Sequence, residues 1–195
     1  MNRSTLHITR LAVFIAIMLV MHFTPLGLIH IPPINLTLYC IPVLVGALFM
    51  GLQDGLILGL CFGLLSTLGA FTAPSASVAL LMSAAPYSPV LVVVMSIVPR
   101  LLIPTFAYLT CKALKEKCRI GSAVAAAVGS LTNTVFYLGS MICFFLLCGL
   151  DNSAILAGIF GVTGIGALCE AVLNALVVPP IVAALQHASR KLTRR

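Results

Sequence analysis

Long apolar blocks, separated by short polar or proline-bearing stretches, organise this chain. A helix that crosses the hydrocarbon of a bilayer needs about 20 apolar residues, and each block is measured against that length. The first runs from about Ile8 to Phe23 and is followed by a loop, Pro25 to Asn35, centred on Pro32-Pro33. The second runs from about Leu36 to Met50. Gly51-Leu52-Gln53-Asp54 then makes a tight polar turn into the third, Gly55 to Phe71. The longest interruption, Thr72 to Ser88, holds Pro74, Pro86 and Tyr87 and is apolar enough to lie on the membrane face or fold over a site. A fourth helix is expected from about Val90 to Leu114 and a fifth from about Ser122 to Leu147. Ala154–Leu185 is too long for one ordinary span, so a sixth helix is placed at Gly164–Leu185, with Ala154–Thr163 as a lead-in element. The expectation is an all-α membrane protein, one domain of six transmembrane helices over residues 1–195.

Composition supports this reading. Of the 195 residues, 61% are hydrophobic and 8% charged, against about a quarter charged in a soluble domain. Such a chain cannot cover a water-facing surface of normal size, and lipid removes the need. The net charge of +7 is concentrated: Arg3 and Arg10 precede the first helix, Lys112, Lys115, Lys117 and Arg119 lie around the fourth-to-fifth connection, and Arg190, Lys191, Arg194 and Arg195 end the chain. With six helices these clusters share one side, which the positive-inside rule makes the cytoplasm. The prediction is a multi-pass protein of the cell membrane with both termini cytoplasmic. Basic residues at helix ends, with no soluble domain to form a groove, argue against nucleic acid as a partner.

The first helix is read as uncleaved, since Thr24-Pro25-Leu26-Gly27 offers no small-x-small site after it. Seven cysteines, Cys40, Cys61, Cys111, Cys118, Cys143, Cys148 and Cys169, show no Cys-x-x-Cys pair and no zinc-like spacing. They read as small packing residues, with no disulfide framework and no metal site.

Small residues recur on two helices. Gly51, Gly55, Gly59 and Gly63 come every fourth residue and predict a close helix contact, because small side chains let backbones approach in lipid. Ala12 and Ala16 form a second such pair on the first helix. Polar groups inside the apolar blocks are fewer and more informative, since a charge in the bilayer is costly and normally functional. Arg100 follows Pro99, Asn133 sits within Ser130-Leu131-Thr132-Asn133-Thr134, and Glu170 and Asn174 share one face a turn apart. Counting from the basic clusters places Arg100 and Glu170 in the outer half and Asn133 near the midplane. Two readings stay open: an Arg100–Glu170 ion pair locking two helices, or direct contact with a ligand. His30, in the first outer loop, is either solvated or a ligand contact.

No metalloprotease, nucleophile-elbow or phosphate-loop motif is present. The chain is therefore not read as an enzyme, has no ATP-binding machinery of its own and calls for no cofactor. A stand-alone secondary transporter would show repeated halves with broken helices, and no repeat is seen. An intramembrane enzyme would need paired acids or a nucleophile with its base, and Glu170 is the one acid within an apolar block.

Several stretches, in this order and spacing, carry a resemblance. They are Ala12-x-x-x-Ala16; Asn35 through Ile41-Pro42-Val43, Gly46 and Gly51, then Gly55, Gly59, Phe62-Gly63 and Ser66; Pro86-Tyr87-Ser88-Pro89 and Val98-Pro99-Arg100; Gly129 to Thr134; and Glu170 with Asn174. Over nearly the whole chain they resemble the substrate-binding S components of energy-coupling factor (ECF) vitamin transporters. The resemblance implies a six-helix bundle that binds a small water-soluble vitamin from outside, under the loops after the first and third helices. It implies substrate contacts among Arg100, Asn133, Glu170, Asn174, Tyr87 and His30, and docking of Ala12 and Ala16 on a membrane scaffold subunit. Two cytoplasmic ATPases would complete the transporter and drive release of the cargo inward. The helix-four and helix-five motifs look most like the pantothenate branch. With no tryptophan, stacking falls to Tyr39, Tyr87, Tyr108, Tyr137 and the phenylalanines, which suits a large flat heterocycle less well. Folate, riboflavin, a pyridoxine-like ring and a queuosine precursor remain open.

Overall fold

The computed structural model describes residues 3–24, 27–31, 34–114, 119–149 and 153–193, with backbone alone for 3–4, 28–31, 34–36, 76, 119, 153–163 and 192–193. In chain order the elements are α1 (Arg3–Phe23), β1 (Leu28–Ile31), β2 (Ile34–Thr37), α2 (Cys40–Phe49), α3 (Leu52–Thr72), α4 (Ala76–Ala84), α5 (Ser88–Ala113), α6 (Arg119–Leu147) and α7 (Ser153–Thr193). Five stretches are long and apolar enough to cross a membrane, within α1, α3, α5, α6 and α7. The chain is a multi-pass, essentially all-helical membrane protein.

The expected count of six full spans is corrected at α2. That helix has ten residues, about 15 Å at 1.5 Å per residue, half the hydrocarbon thickness. Leu36 and Thr37, expected to open the second helix, belong instead to the second strand of an antiparallel hairpin that otherwise falls in the expected loop, with Leu28 opposite Thr37 and Ile31 opposite Ile34. Two further expectations change. The Thr72–Ser88 interruption contains the helix α4. The lead-in before the sixth helix is continuous with it, in one 41-residue helix, α7. Ser153–Thr163 carries Gly158 and Gly161 but no proline, so nothing removes a helical donor there, and in lipid the backbone has no better partner than itself.

Contacts fix how the elements run. His7 Nε2 stands 2.9 Å from Asp54 Oδ2, and Arg10 Nη2 donates to Ser189 Oγ at 3.1 Å. The starts of α1 and α3 and the end of α7 therefore meet at one end, which also bears Arg190 and Lys191. At the other end His22 of α1 approaches Gly69 of α3, near the hairpin and α4.

The glycine face of α3 packs inward. A Cβ on Gly55 would meet Ala47 and Pro104, on Gly59 the Arg100 carbonyl at 2.7 Å, and on Gly63 the Ile97 backbone at 3.0 Å. Backbone contact this close, without intervening side chains, is what holds α3 to α5 in lipid. Gly51 departs from the expected stripe. It is the N-cap of α3, at φ 113 and ψ 176, and its missing side chain faces nothing within 4 Å. Its glycine serves the turn, since that backbone region is closed to other residues.

Two apolar clusters result. One, towards the basic end, gathers Met18, Val43, Leu44, Leu58, Ile103, Val178 and their neighbours. The other joins Val78 and Leu81 of α4 to Val92 and Met95 of α5 and Met141 and Phe145 of α6.

Candidate ligand-binding site

A cavity of about 360 Å³ opens beside these two clusters, within the range that small-molecule sites occupy. Its longest wall is α3, which contributes Phe62, Leu65, Ser66, Gly69, Ala70 and Ala73. That spacing is one helical stripe, and four of the six are small, so the wall recedes. The other contributors are His22 of α1, Thr37 of β2, Tyr39, Ser75, Val78 of α4, Ser96 and Arg100 of α5, and Asn133 and Tyr137 of α6.

The short α2 explains why space exists here. Tyr39, which caps α2, stacks on Phe62 with ring centroids 5.4 Å apart and donates to the Met21 carbonyl at 3.1 Å. The helix thus begins at the level of Phe62, while α3 continues to Thr72. Beyond the start of α2 the space beside α3 is open, with Tyr39 and Phe62 among its lining residues.

Arg100 sits at the middle of α5 and is 8% exposed. Pro99 explains its setting. A proline has no N–H, so the carbonyl four residues earlier loses its helical donor. That carbonyl belongs to Met95, and Arg100 Nη1 donates to it at 3.0 Å. Nη2 donates to Ser66 Oγ, also at 3.0 Å. The guanidinium lies over the Tyr137 ring at 4.7 Å and the Phe62 ring at 5.5 Å, in range for cation–π attraction. Pro104 frees the Arg100 carbonyl in the same way, and Gly59 is the residue that comes against it.

Of the two open readings, a direct Arg100–Glu170 ion pair is not formed. The ion pair found among the described residues is His7–Asp54, and Arg100 has neutral partners instead. Glu170 lies near Thr37 and Cys40 and within electrostatic reach of Arg100. Its Oε1 is buried and unpartnered. Asn174, fully buried, donates from Nδ2 to Ser130 Oγ at 3.0 Å. Glu170 and Asn174 are not among the cavity-lining residues; they lie behind it, on the α2 and α6 sides.

Asn133 does line the cavity, and its Oδ1 is buried without a partner. Tyr87, 53% exposed at the start of α5, is not a lining residue. His30 lies on β1 opposite Asn35, and its side chain is outside the described residues. Ala12 and Ala16 are both exposed on the outer face of α1.

Asp54, buried in the first turn of α3, is an acid that apolar block-reading left in a turn. Sequence reasoning passed over Ser96, and it named Tyr137 and the phenylalanines only as stacking groups and Ser66 only within a motif; all of Phe62, Ser66, Ser96 and Tyr137 line the cavity. The small-residue stripe Ser66, Gly69, Ala70, Ala73 could have pointed to them. Among the described residues no three His, Cys, Asp or Glu side chains gather as a metal site, and the described cysteines are free thiols.

A helical membrane bundle with a mostly apolar cavity and a few fixed polar groups is the build of a substrate-binding membrane subunit. The chain belongs to the family described as ECF transporter, substrate-specific component, whose profile matches residues 6–182. Among curated proteins it is 31% identical over 189 residues to the pantothenic acid transporter PanT of Lactococcus lactis subsp. cremoris (strain MG1363), covering 91% of this chain and 92% of that protein.

Proposed function

We propose that this chain is the S component of an ATP-driven ECF transporter and that its substrate is pantothenate. The observation that carries the substrate is the 31% identity to PanT across nine-tenths of both proteins. The cavity supports it, being large enough for a small vitamin and carrying a cation suited to a carboxylate. In this reading the ligand enters from the external face, at the hairpin and α4 end, while the basic end and both termini are cytoplasmic. Arg100 and Asn133 contact the ligand. Glu170 and Asn174 hold α2 and α6 in place behind it, and Tyr87 and His30 belong to the outer rim. The exposed Ala12–Ala16 face of α1 docks on a membrane scaffold subunit, and two cytoplasmic ATPases supply the energy.

Mass spectrometry of the ligand co-purified with the protein from cells grown in rich medium tests the substrate. Pantothenate is the expected species, and stoichiometric recovery of a different vitamin would overturn the assignment. Uptake of labelled pantothenate should require co-expression of the scaffold and ATPases. Uptake by the chain alone would favour a stand-alone secondary transporter.

A further inference from the structure

Glu170 is a buried carboxylate, 6% exposed, and among the described residues no basic side chain stands within ion-pair distance of it. Arg100 acts on it only from farther off. Its Oε1 has no hydrogen-bond partner. A buried charge without a counter-ion in contact is costly, above all within a bilayer. Two other buried acceptors are likewise without a donor, Asn174 Oδ1 and Asn133 Oδ1.

Helix geometry brings the three together. A short connection joins α6 to α7, so the two run antiparallel, and the Asn174–Ser130 bond fixes their register. Glu170 lies one turn from Asn174 on α7, and Asn133 one turn from Ser130 on α6. Both steps lead toward the hairpin end, so Glu170 and Asn133 stand at one level of the same seam. Thr37 and Cys40 border Glu170 from the side of β2 and α2. Oxygen acceptors with no donor among them suit a hard cation. A single carboxylate balances a single positive charge, and a divalent ion would leave an excess of positive charge near Arg100.

We propose that the α6–α7 seam behind the cavity binds one alkali-metal cation on Glu170, Asn174 and Asn133, which neutralises the carboxylate and holds α7 to α6. This site is distinct from the cavity, since Glu170 and Asn174 do not line that space. Asn133 borders both: its Oδ1 serves the cation, and its amide nitrogen remains for a ligand. The inference is independent of which vitamin the cavity takes.

The test is thermal unfolding of the detergent-solubilised chain, with no vitamin added, in sodium, potassium or choline chloride at equal ionic strength. Choline carries the same charge but is too large for a seam between buried side chains. Wild type should melt higher in an alkali salt than in choline, by about 3–6 °C once the ion is at tenfold its dissociation constant. The two alkali salts, compared with each other, identify the ion. Glu170→Gln should abolish the response without lowering the melting temperature in choline, since it removes the unpaired charge itself. Asn174→Ala should keep a response but need roughly threefold to tenfold more cation, the worth of one neutral contact. Equal melting of wild type in all three salts, or a full cation response in Glu170→Gln, overturns the proposal. Should Glu170→Gln fail to fold, Glu170→Asp and Asn174→Ala decide the matter, and an unchanged half-saturation in both overturns it. Recovery of a vitamin other than pantothenate would refute the substrate assignment and leave these readings as they are.

Discussion

Asn174 of α7 donates its side-chain amide to Ser130 of α6 at 3.0 Å, with no solvent exposure at Asn174. The bond crosses between two long apolar helices, one turn below Asn133. Interhelical hydrogen bonds of this kind contribute about 0.6 kcal/mol on average in membranes and up to about 2. A double-mutant cycle of Asn174→Ala and Ser130→Ala, read by thermal unfolding in detergent, should give a coupling energy in that range. A coupling indistinguishable from zero would remove the tether.

Gly59 is the tightest backbone approach between α3 and α5, since a Cβ there would lie 2.7 Å from the Arg100 carbonyl oxygen. Neither side of that contact is a flexible side chain. Gly59→Ala should force the helices apart and cost about 1–3 kcal/mol, the usual penalty of overpacking. Arg100 would move with α5, so ligand affinity should fall too. An unaltered melting temperature would show that the contact is looser than described.

Gly51 and Gly139 form a matched pair. Both have open space around them, yet only Gly51 of the two has a positive φ, 113. Gly51→Ala should destabilise by about 1–3 kcal/mol, whereas Gly139→Ala, inside α6, should stabilise by up to about 1 kcal/mol. Equal effects in a thermal melt would contradict the backbone explanation.

Ala12 and Ala16 lie on the exposed side of α1 while Met18, two residues on, is fully buried. Ala12→Trp or Ala16→Trp should abolish uptake in the assembled transporter and leave ligand binding by the solitary chain unchanged, because close helix approach needs small residues. Lost binding in the solitary chain would assign the pair to internal structure.

Topology is tested at Ser189, next to Arg190 and Lys191. In a cysteine-free background, Ser189→Cys should resist membrane-impermeant thiol reagent added outside whole cells and react once the membrane is opened. External labelling would reverse the orientation drawn from the basic clusters.

The sequence by itself determined the solvent, the approximate long helices and the list of costly polar groups. Each follows from local quantities: apolar run length, charge placement, and the penalty for a polar atom in lipid. Family resemblance added the binding role. Three features were decided only by the tertiary structure. Leu36–Met50 is apolar enough to read as one span, but the hairpin takes its first residues, and the resulting short α2 leaves the cavity open. Arg100 and Glu170 are the obvious opposite charges, yet Pro99 frees a carbonyl for the arginine while Glu170 lies near Thr37 and Cys40. Ser66 has no partner legible in the sequence until α5 brings Arg100 within 3.0 Å of it. Hydropathy is set by each residue's own chemistry, whereas the partner of a buried polar group depends on which helix faces it, and that is a property of the packed chain.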